Sequence, residues 1–477
     1  MQRNIYYILA LLFVGTTSCE DKLSQVLPKD ELAASEALTT VNDHEIALIG
    51  TYTGLVSSSY YGRNFVAYAD HSSDNGFIPA GAGARLNDFY TMAINPTNTA
   101  LATWSQIYDV IARANNVITS VRNLQDGTPE RRNRILGEAL FLRALGHHDL
   151  SRLFAHDYGF TDDASHDGIP YMLESAVGEP ARDPINVVYQ NLIADLDEAV
   201  TLLEDNSRTG ADAPNFASVW AAKALRARVK LYMSDFEGAQ VDAEDVINNG
   251  PYTLTDYIVR DDEMNIQPDQ IDSWSSREPT SESIFEVEVD QIDDLYPGRN
   301  GLSGIYVRAE GFGDAGPNLD IINLYDAADI RQNWYVNING VWFVNKYPGQ
   351  GGNVLFFTTP VLRLTEMILI QAETLARANE NSAARDAINL ITGRSNAPEI
   401  SSSGAQLLTD ILTERRKELA FEGHRYYDLK RLQQDIVRND CNLIQNCVIP
   451  YGDKLFAYPI PIEERLANRN MRQNPGY

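Results

Sequence analysis

Cysteine is nearly absent from this chain, with three residues in 477. A zinc centre needs about four nitrogen or sulfur ligands, and no cysteine cluster supplies them. Cationic side chains are also few: Lys and Arg number 39 against 66 Asp and Glu, a formal charge of −27. Such a surface repels a phosphate backbone, so nucleic acid is not an expected partner. The apolar run at the N-terminus, residues 5–14, is ten residues long. A membrane-spanning helix needs ~20. The GxSxG, HExxH and P-loop motifs do not occur, which removes the hydrolases and nucleotide enzymes built on them. A glycoside hydrolase stays open, because it needs only two carboxyls ~5–9.5 Å apart across a cleft and acidic residues are abundant.

What is present begins with an export signal over residues 1–18. Arg3 gives a positive start, the apolar run follows, and Gly15, Thr16, Thr17 and Ser18 are small. Cys19 stands directly after them, as at a bacterial lipoprotein cleavage site. Cleavage there makes Cys19 the new N-terminus and the acyl anchor, and each buried methylene contributes ~0.8 kcal/mol to membrane attachment. Residues 19–30 then read as a lipidated, polar tether. The other two cysteines, Cys441 and Cys447, flank a short turn-rich segment. In an exported protein they suit a small disulfide-closed loop.

Beyond the tether, helical periodicity alternates with irregular stretches. Helices are expected over 41–56, 104–121, 129–154 and 184–203. Residues 216–249 form two alanine-rich helices broken at Ser234-Asp235. The unit spans about 34 residues, the tetratricopeptide period. A further helix over 360–378 has an antiparallel partner at 382–392. Residues 57–98 and 250–352 are different, rich in Gly, Ser, Asn and aromatics, and read as loops with short strands at SESIFEVEVD and NGVWFVNKY. Loops this long in a compact chain are usually functional. The proline-punctuated C-terminus, YPIPIEERLANRNMRQNPGY, is expected to lie extended across the body. Residues 31–270 and 271–477 form two regions of one body.

The densest mixture of charge and apolar bulk is ERRKELAFEGHRYYDLKRL at 414–432. Gly423 is expected to end its first helix. Glu414, Glu418 and Glu422 recur every fourth residue. Arg415 precedes Glu418 by three, as Arg425 precedes Asp428, which are helix-neighbour spacings for ion pairs. Glu418 and Glu422 could serve as general acid and base. The favoured reading is a structural ion-pair network, since matching counter-ions lie within a turn.

Set in order, these segments resemble the SusD/RagB family of Bacteroidetes outer-membrane lipoproteins along the full length. The likeness rests on the signal with Cys19, WSQIYDVIARANNVI at 104–118, GEALFLRALGHHDLSRLF at 137–154, ASVWAAKALRARVKLYMSDFEGA at 217–239, PVLRLTEMILIQAETLARA at 360–378, the 414–432 stretch and the terminal YPIP…NPGY. His147-His148 departs from the family, which more often has bulky aromatics there. They read as packing or surface positions, since a metal site would have only His156 and Asp157 nearby. The resemblance implies a mainly α fold, a tetratricopeptide-like helix-pair scaffold whose excursions carry the ligand site. It implies a lid on a SusC-like TonB-dependent barrel at the outer face of the outer membrane, capturing oligo- or polysaccharide, with no catalysis and no cofactor. A glycan surface needs flat rings for sugar C–H faces and fixed partners for hydroxyls. Trp274, Tyr296, Trp334 and Trp342 are the candidate platforms. Tyr60, Tyr61, Asp74, Arg85 and Asn87 are the candidates from the first excursion. Burial under a loop is the alternative for each ring. Trp104 and Trp220, on helical patterns, are assigned to the core. A helical scaffold for protein partners is the remaining alternative to a binding protein.

Overall fold

The computed structural model describes residues 37–79, 84–98, 100–210, 213–257, 259–260, 270–271, 279–289, 297–307, 313–350, 353–439 and 447–477. The scaffold is a succession of helices: α1 (Val41–Thr53), α2 (Asn64–His71), α3 (Leu101–Val121), α4 (Pro129–Phe154), α5 (Ile185–Leu203), α6 (Val219–Tyr232), α7 (Phe236–Asn249), α8 (Leu364–Arg377), α9 (Asn381–Arg394), α10 (Ala405–Glu418) and α11 (Arg425–Arg431). Among the described residues no helix is long and apolar enough to cross a membrane.

Local chemistry sets the helix starts. Thr40 caps α1, its side chain accepting from the Asp43 amide while Asp43 accepts from the Thr40 amide at 2.7 Å. This reciprocal box satisfies two otherwise orphaned donors. Thr128 caps α4, and Pro129 takes the first-turn position where no N–H is needed. Ser218 and Asp235 cap α6 and α7, and Ser234 turns the chain between them at φ 62°. The expected 34-residue pair is therefore present. Its crossing is lined by Ala221, Ala224, Ala239 and Ala243, all fully buried.

Helix α4 is the centre of the N-terminal half. It packs on both α3 and α5, and every residue from Ile135 to Phe154 is buried. Close approach on both sides needs glycine. A Cβ on Gly137 would sit 2.7 Å from Leu203, and one on Gly146 would sit 2.9 Å from Ile111. Charges caught in this core are paired. Arg143 meets Asp195 at 2.6 Å, Arg152 meets Asp149 at 2.5 Å, and Glu138 accepts from Tyr52 and Arg208. The stack continues from α5 to α6 and α7, then from α7 directly to α8 and α9. The segment between α7 and α8 thus leaves the stack and returns to it.

Strand β1 (Ser283–Val289) pairs antiparallel with β4 (Phe357–Arg363), with Phe285 opposite Leu362. The expectation of a helix from residue 360 is corrected here. Pro360 lies opposite Glu286 in this ladder, and the helix starts only after Arg363. A two-stranded ribbon can hold a proline on its outer edge. Strands β2 (Tyr335–Ile338) and β3 (Val341–Val344) form a hairpin. Asn339 and Gly340 turn it at φ 54° and 87°, the Asn-Gly geometry that matches strand twist.

The first excursion differs more from expectation. Its stretch 57–98 contains α2, all eight residues of which are buried, and a short helix at Asn87–Tyr90. A helix buried all round has no amphipathic stripe to announce it. The C-terminus follows expectation in part. Tyr458 donates its amide to Leu153 and Asn474 bonds Phe154, pinning the strap to the end of α4, but Ile462–Ala467 is helical.

The 414–432 stretch forms a buried seam. Helix α10 ends at Glu418, before Gly423, and the chain turns through Phe421 at φ 64° and Gly423 at φ 83°. The Asp70 carboxylate accepts from both of their amides. Burial raises the pKa of Asp70 to about 6 against those bonds. Glu418 Oε1 accepts from Arg394 at 2.6 Å, Tyr257 at 2.7 Å and Arg363 at 2.9 Å, and Oε2 accepts from Arg331 at 2.9 Å. Glu422 takes Arg363 at 2.8 Å and Lys346 at 2.5 Å. Glu414 takes Arg331 at 2.5 Å and Lys417 at 3.1 Å. The expected local pairs are corrected. Arg415 meets Asp428 at 2.9 Å, and Arg425 meets Asp74 at 2.7 Å. Tertiary partners outcompete the helix neighbours because both guanidiniums point into the interior.

Burial opposes ionisation of Glu418, but Arg394, Arg363 and Arg331 outweigh it and hold its pKa well below the usual carboxylate value. Its folded-state pKa is depressed, so its stabilisation is complete above the unfolded value near 4.5 and is lost as pH falls below it. Replacing Glu418→Gln leaves three buried guanidiniums short of a counter-charge and is expected to cost about 3–5 kcal/mol. Urea midpoints at pH 7 and pH 4 check both points: the wild type loses stability between them, and the variant loses less.

Candidate functional site

The two excursions meet at one junction. Gly76–Phe77 pairs antiparallel with Gly316–Pro317, Phe77 opposite Gly316. That short strand lies in turn against β3. A Cβ on Gly316 would come within 2.3 Å of the Trp342 carbonyl oxygen, so glycine is what lets the backbones pass. Side chains tie the same junction. Arg85 Nε donates to Asp314 at 2.6 Å and Nη1 to Asn300 Oδ1 at 2.9 Å. Arg63 Nη1 donates to the Asn300 carbonyl at 3.0 Å. Phe77, Arg63, Arg85 and Trp342 are half-buried here, while Asn87 and Asn300 are exposed. The junction therefore offers two partly accessible rings, two guanidiniums with fixed directions and carboxamides. That set can stack on a ring face and bond hydroxyls, and among the described residues it contains no accessible pair of carboxylates.

The structure separates the sequence candidates. Arg85, Asn87 and Trp342 stand at or beside the junction. Tyr60 and Tyr61 are corrected to core positions. They are 0% and 3% exposed, and their hydroxyls donate to Asp149 Oδ2 at 2.6 and 2.7 Å. Trp334 is corrected likewise, with 1% exposure, Tyr257 edge-on at 5.7 Å and Lys346 Nζ 3.8 Å from its ring centroid. Asp74 is buried between Arg425 and Arg416. Burial resists its ionisation, but the two arginines prevail and bring its pKa to about 2. It ties the first excursion to α10 and α11 and faces no ligand. Trp104 is in the core, but Trp220 is only half-buried. Trp274, Tyr296, Cys19 and Cys441 lie outside the described residues, and Cys447 is disulfide-bonded.

His147 packs in the core, stacked on Tyr171 at 3.8 Å, with Nδ1 on the Arg143 carbonyl and Nε2 accepting from the Met172 amide. Burial lowers its pKa to about 3. His148 is fully buried between Tyr189 and Tyr232. Phe77, Arg63, Asn300 and Asp314 escaped the sequence reading. Only the pairing of residues 76–77 with 316–317 brings them together, and no local pattern signals it.

The fold and this junction can be set beside known proteins. The model of the SusD family matches residues 343–477, and a second, described as starch-binding associating with outer membrane, matches residues 30–231. The chain belongs to the SusD/RagB family. SusD-like protein P2 of Formosa agariphila is 26% identical across 99% of both chains. A SusD superfamily structure from Bacteroides thetaiotaomicron superposes with a TM-score of 0.80 at 27% identity, covering 92% of this chain and all of that one. Surface glycan-binding protein A of the same organism, solved with laminarihexaose, has the same fold at a TM-score of 0.72 and 18% identity, covering 91% of this chain and all of that one. The tetratricopeptide-like, mainly α scaffold is thus the SusD-like fold.

Because Trp334 fills the core, Trp334→Ala is expected to cost about 3–5 kcal/mol of stability. A urea titration followed by far-ultraviolet circular dichroism reads this as a lower midpoint.

Proposed function

We propose that this SusD-like chain is a cell-surface lipoprotein that binds oligo- or polysaccharide at the excursion junction and passes it to a SusC-like TonB-dependent barrel. The observation that carries the reading is the junction itself. Two distant segments are brought together, with Phe77 and Trp342 half-buried on the neighbouring strands and with arginines whose directions are fixed by Asp314 and Asn300. A saccharide needs that combination of ring and oriented donor. The related fold that carries laminarihexaose supports the same ligand class, and the family description supports an outer-membrane setting. The chain acts by binding, without catalysis. Glu418 and Glu422, the carboxylates first weighed as acid and base, are buried in the seam and have their oxygens occupied by arginine and lysine. Cys19 supplies the anchor, and the junction is the ligand-facing side of the lid.

Affinity electrophoresis through gels containing laminarin, starch and other neutral glycans tests the binding. The wild type is expected to be retarded by at least one of them. Trp342→Ala should weaken that retardation about tenfold, in line with the ~0.5–1.5 kcal/mol that an aromatic contact contributes. Unretarded migration in every gel would overturn the reading. In cell fractionation, Cys19→Ala should move the protein from the membrane to the soluble fraction, and full membrane retention would remove Cys19 as the anchor.

A further inference from the structure

A second groove lies at the other end of β1. It encloses about 540 Å³, within the range of small-ligand sites. Trp220 of α6 and Tyr252, which follows α7, contribute its rings. Thr209 and Gly210 come from the loop after α5, and Thr280 and Ser281 from the turn before β1. The hydroxyls are held in place: Ser281 donates to the Thr253 carbonyl at 2.9 Å, and Thr280 and Ser283 share a bond at 3.0 Å. Each oxygen keeps further capacity to accept.

The one charge among the described residues lining this groove is paired. Arg208 carries the one ionic side chain among the described residues that line it. Its Nε donates to Glu138 at 2.8 Å and its guanidinium lies 4.2 Å from the Phe216 ring centroid. Its Nη2 is buried with no protein partner. Lys223 lies 4.9 Å from the centroid of the Trp220 ring and is neutralised by Asp245 at 2.6 Å. A half-buried indole on the outer side of α6, a phenol ring and a hydroxyl rim match a neutral, polyhydroxylated ligand. An apolar ligand would strand the hydroxyls, and among the described lining residues a charged one would find no uncompensated partner.

We propose that this groove is a second saccharide subsite, for uncharged oligosaccharide, separate from the junction. The proposal rests on the glycan-binding reading above. Ser283 and Ile284 line the groove. At the far end of the ribbon Val289 lies opposite Phe357, whose ring abuts Gly301 beside Asn300. At ~3.3 Å per strand residue, β1 spans ~20 Å between Ser283 and Val289, so each site takes its own oligosaccharide.

Thr209 is exposed at the groove wall, so Thr209→Trp fills the groove without touching the core. Isothermal titration with laminarihexaose and maltoheptaose, on wild type, Thr209→Trp, Trp220→Ala and Trp342→Ala, separates the sites. With the hexa- or heptasaccharide that binds, the wild type is expected to show two sites. Thr209→Trp should abolish one, Trp220→Ala should weaken the same one about two- to tenfold, and Trp342→Ala should affect the other. Unchanged melting temperature of Thr209→Trp confirms that its fold is intact. A single site, lost in Trp342→Ala and untouched in Thr209→Trp, would overturn the second subsite and leave the glycan-binding reading standing. No binding of either oligosaccharide to the wild type would overturn this proposal at its premise. The gel panel decides the premise separately.

Discussion

A carboxylate buried among three guanidiniums sets the terms for the C-terminal half. Glu418 is fully enclosed, and an enclosed charge is tolerable only when it is paired and fully hydrogen-bonded. Its partners come from four places: Arg331 before the β2–β3 hairpin, Arg363 at the end of β4, Arg394 at the end of α9, and Tyr257 after α7. Each of those elements is otherwise held by its own packing. The shared carboxylate fixes their mutual positions and aligns the second excursion against the helix stack. The backbone then turns through Phe421 and Gly423 onto Asp70, which extends the same constraint to the first excursion. The junction of the two excursions is positioned by this chain of buried polar contacts.

Aromatic residues show why composition alone misplaces a ligand site. The chain has 24 tyrosines, and several work as internal donors to buried carboxylates. Tyr52 serves Glu138, Tyr60 and Tyr61 serve Asp149, Tyr171 serves Asp195, and Tyr257 serves Glu418. A phenol combines a large apolar face with one directed O–H, and that suits a core with many enclosed charges as well as it suits a sugar. Density of rings in an excursion therefore does not distinguish the two uses.

Much of the scaffold was readable from the amino-acid order, because one-sided helices carry a 3.6-residue stripe and capped pairs carry Ser, Thr or Asp at their starts. The α6–α7 unit was legible for these reasons, and the strand within NGVWFVNKY from its run of β-formers, but not its pairing with residues 335–338. Helix α2 was not, since all of its residues are enclosed. Strand β4 hid behind Pro360. In the seam, the residues that matter were visible but their partners were not. Spacing reveals neighbours on one helix, whereas Arg415 and Arg425 choose Asp428 and Asp74 through tertiary geometry. At the junction of the excursions Arg85, Asn87 and Trp342 could be named in advance. Arg63, Asn300 and Asp314 could not, because their meeting depends on a two-residue strand pairing across more than two hundred positions.

The return of the chain to its helix stack after the second excursion has a kinetic meaning. Helices α7 and α8 are in direct contact across more than a hundred intervening residues. Closing a loop of that length costs roughly 4 kcal/mol of chain entropy beyond a constant term, and this is spent before α8 gains any packing. The sequence-local stack from α3 to α7 has no such delay, so it forms first and serves as the template on which α8 docks. Glu418 can gather its arginines only after that docking. The junction of the two excursions is accordingly among the last parts of the molecule to take shape, because the seam that holds it is completed only after α8 has docked.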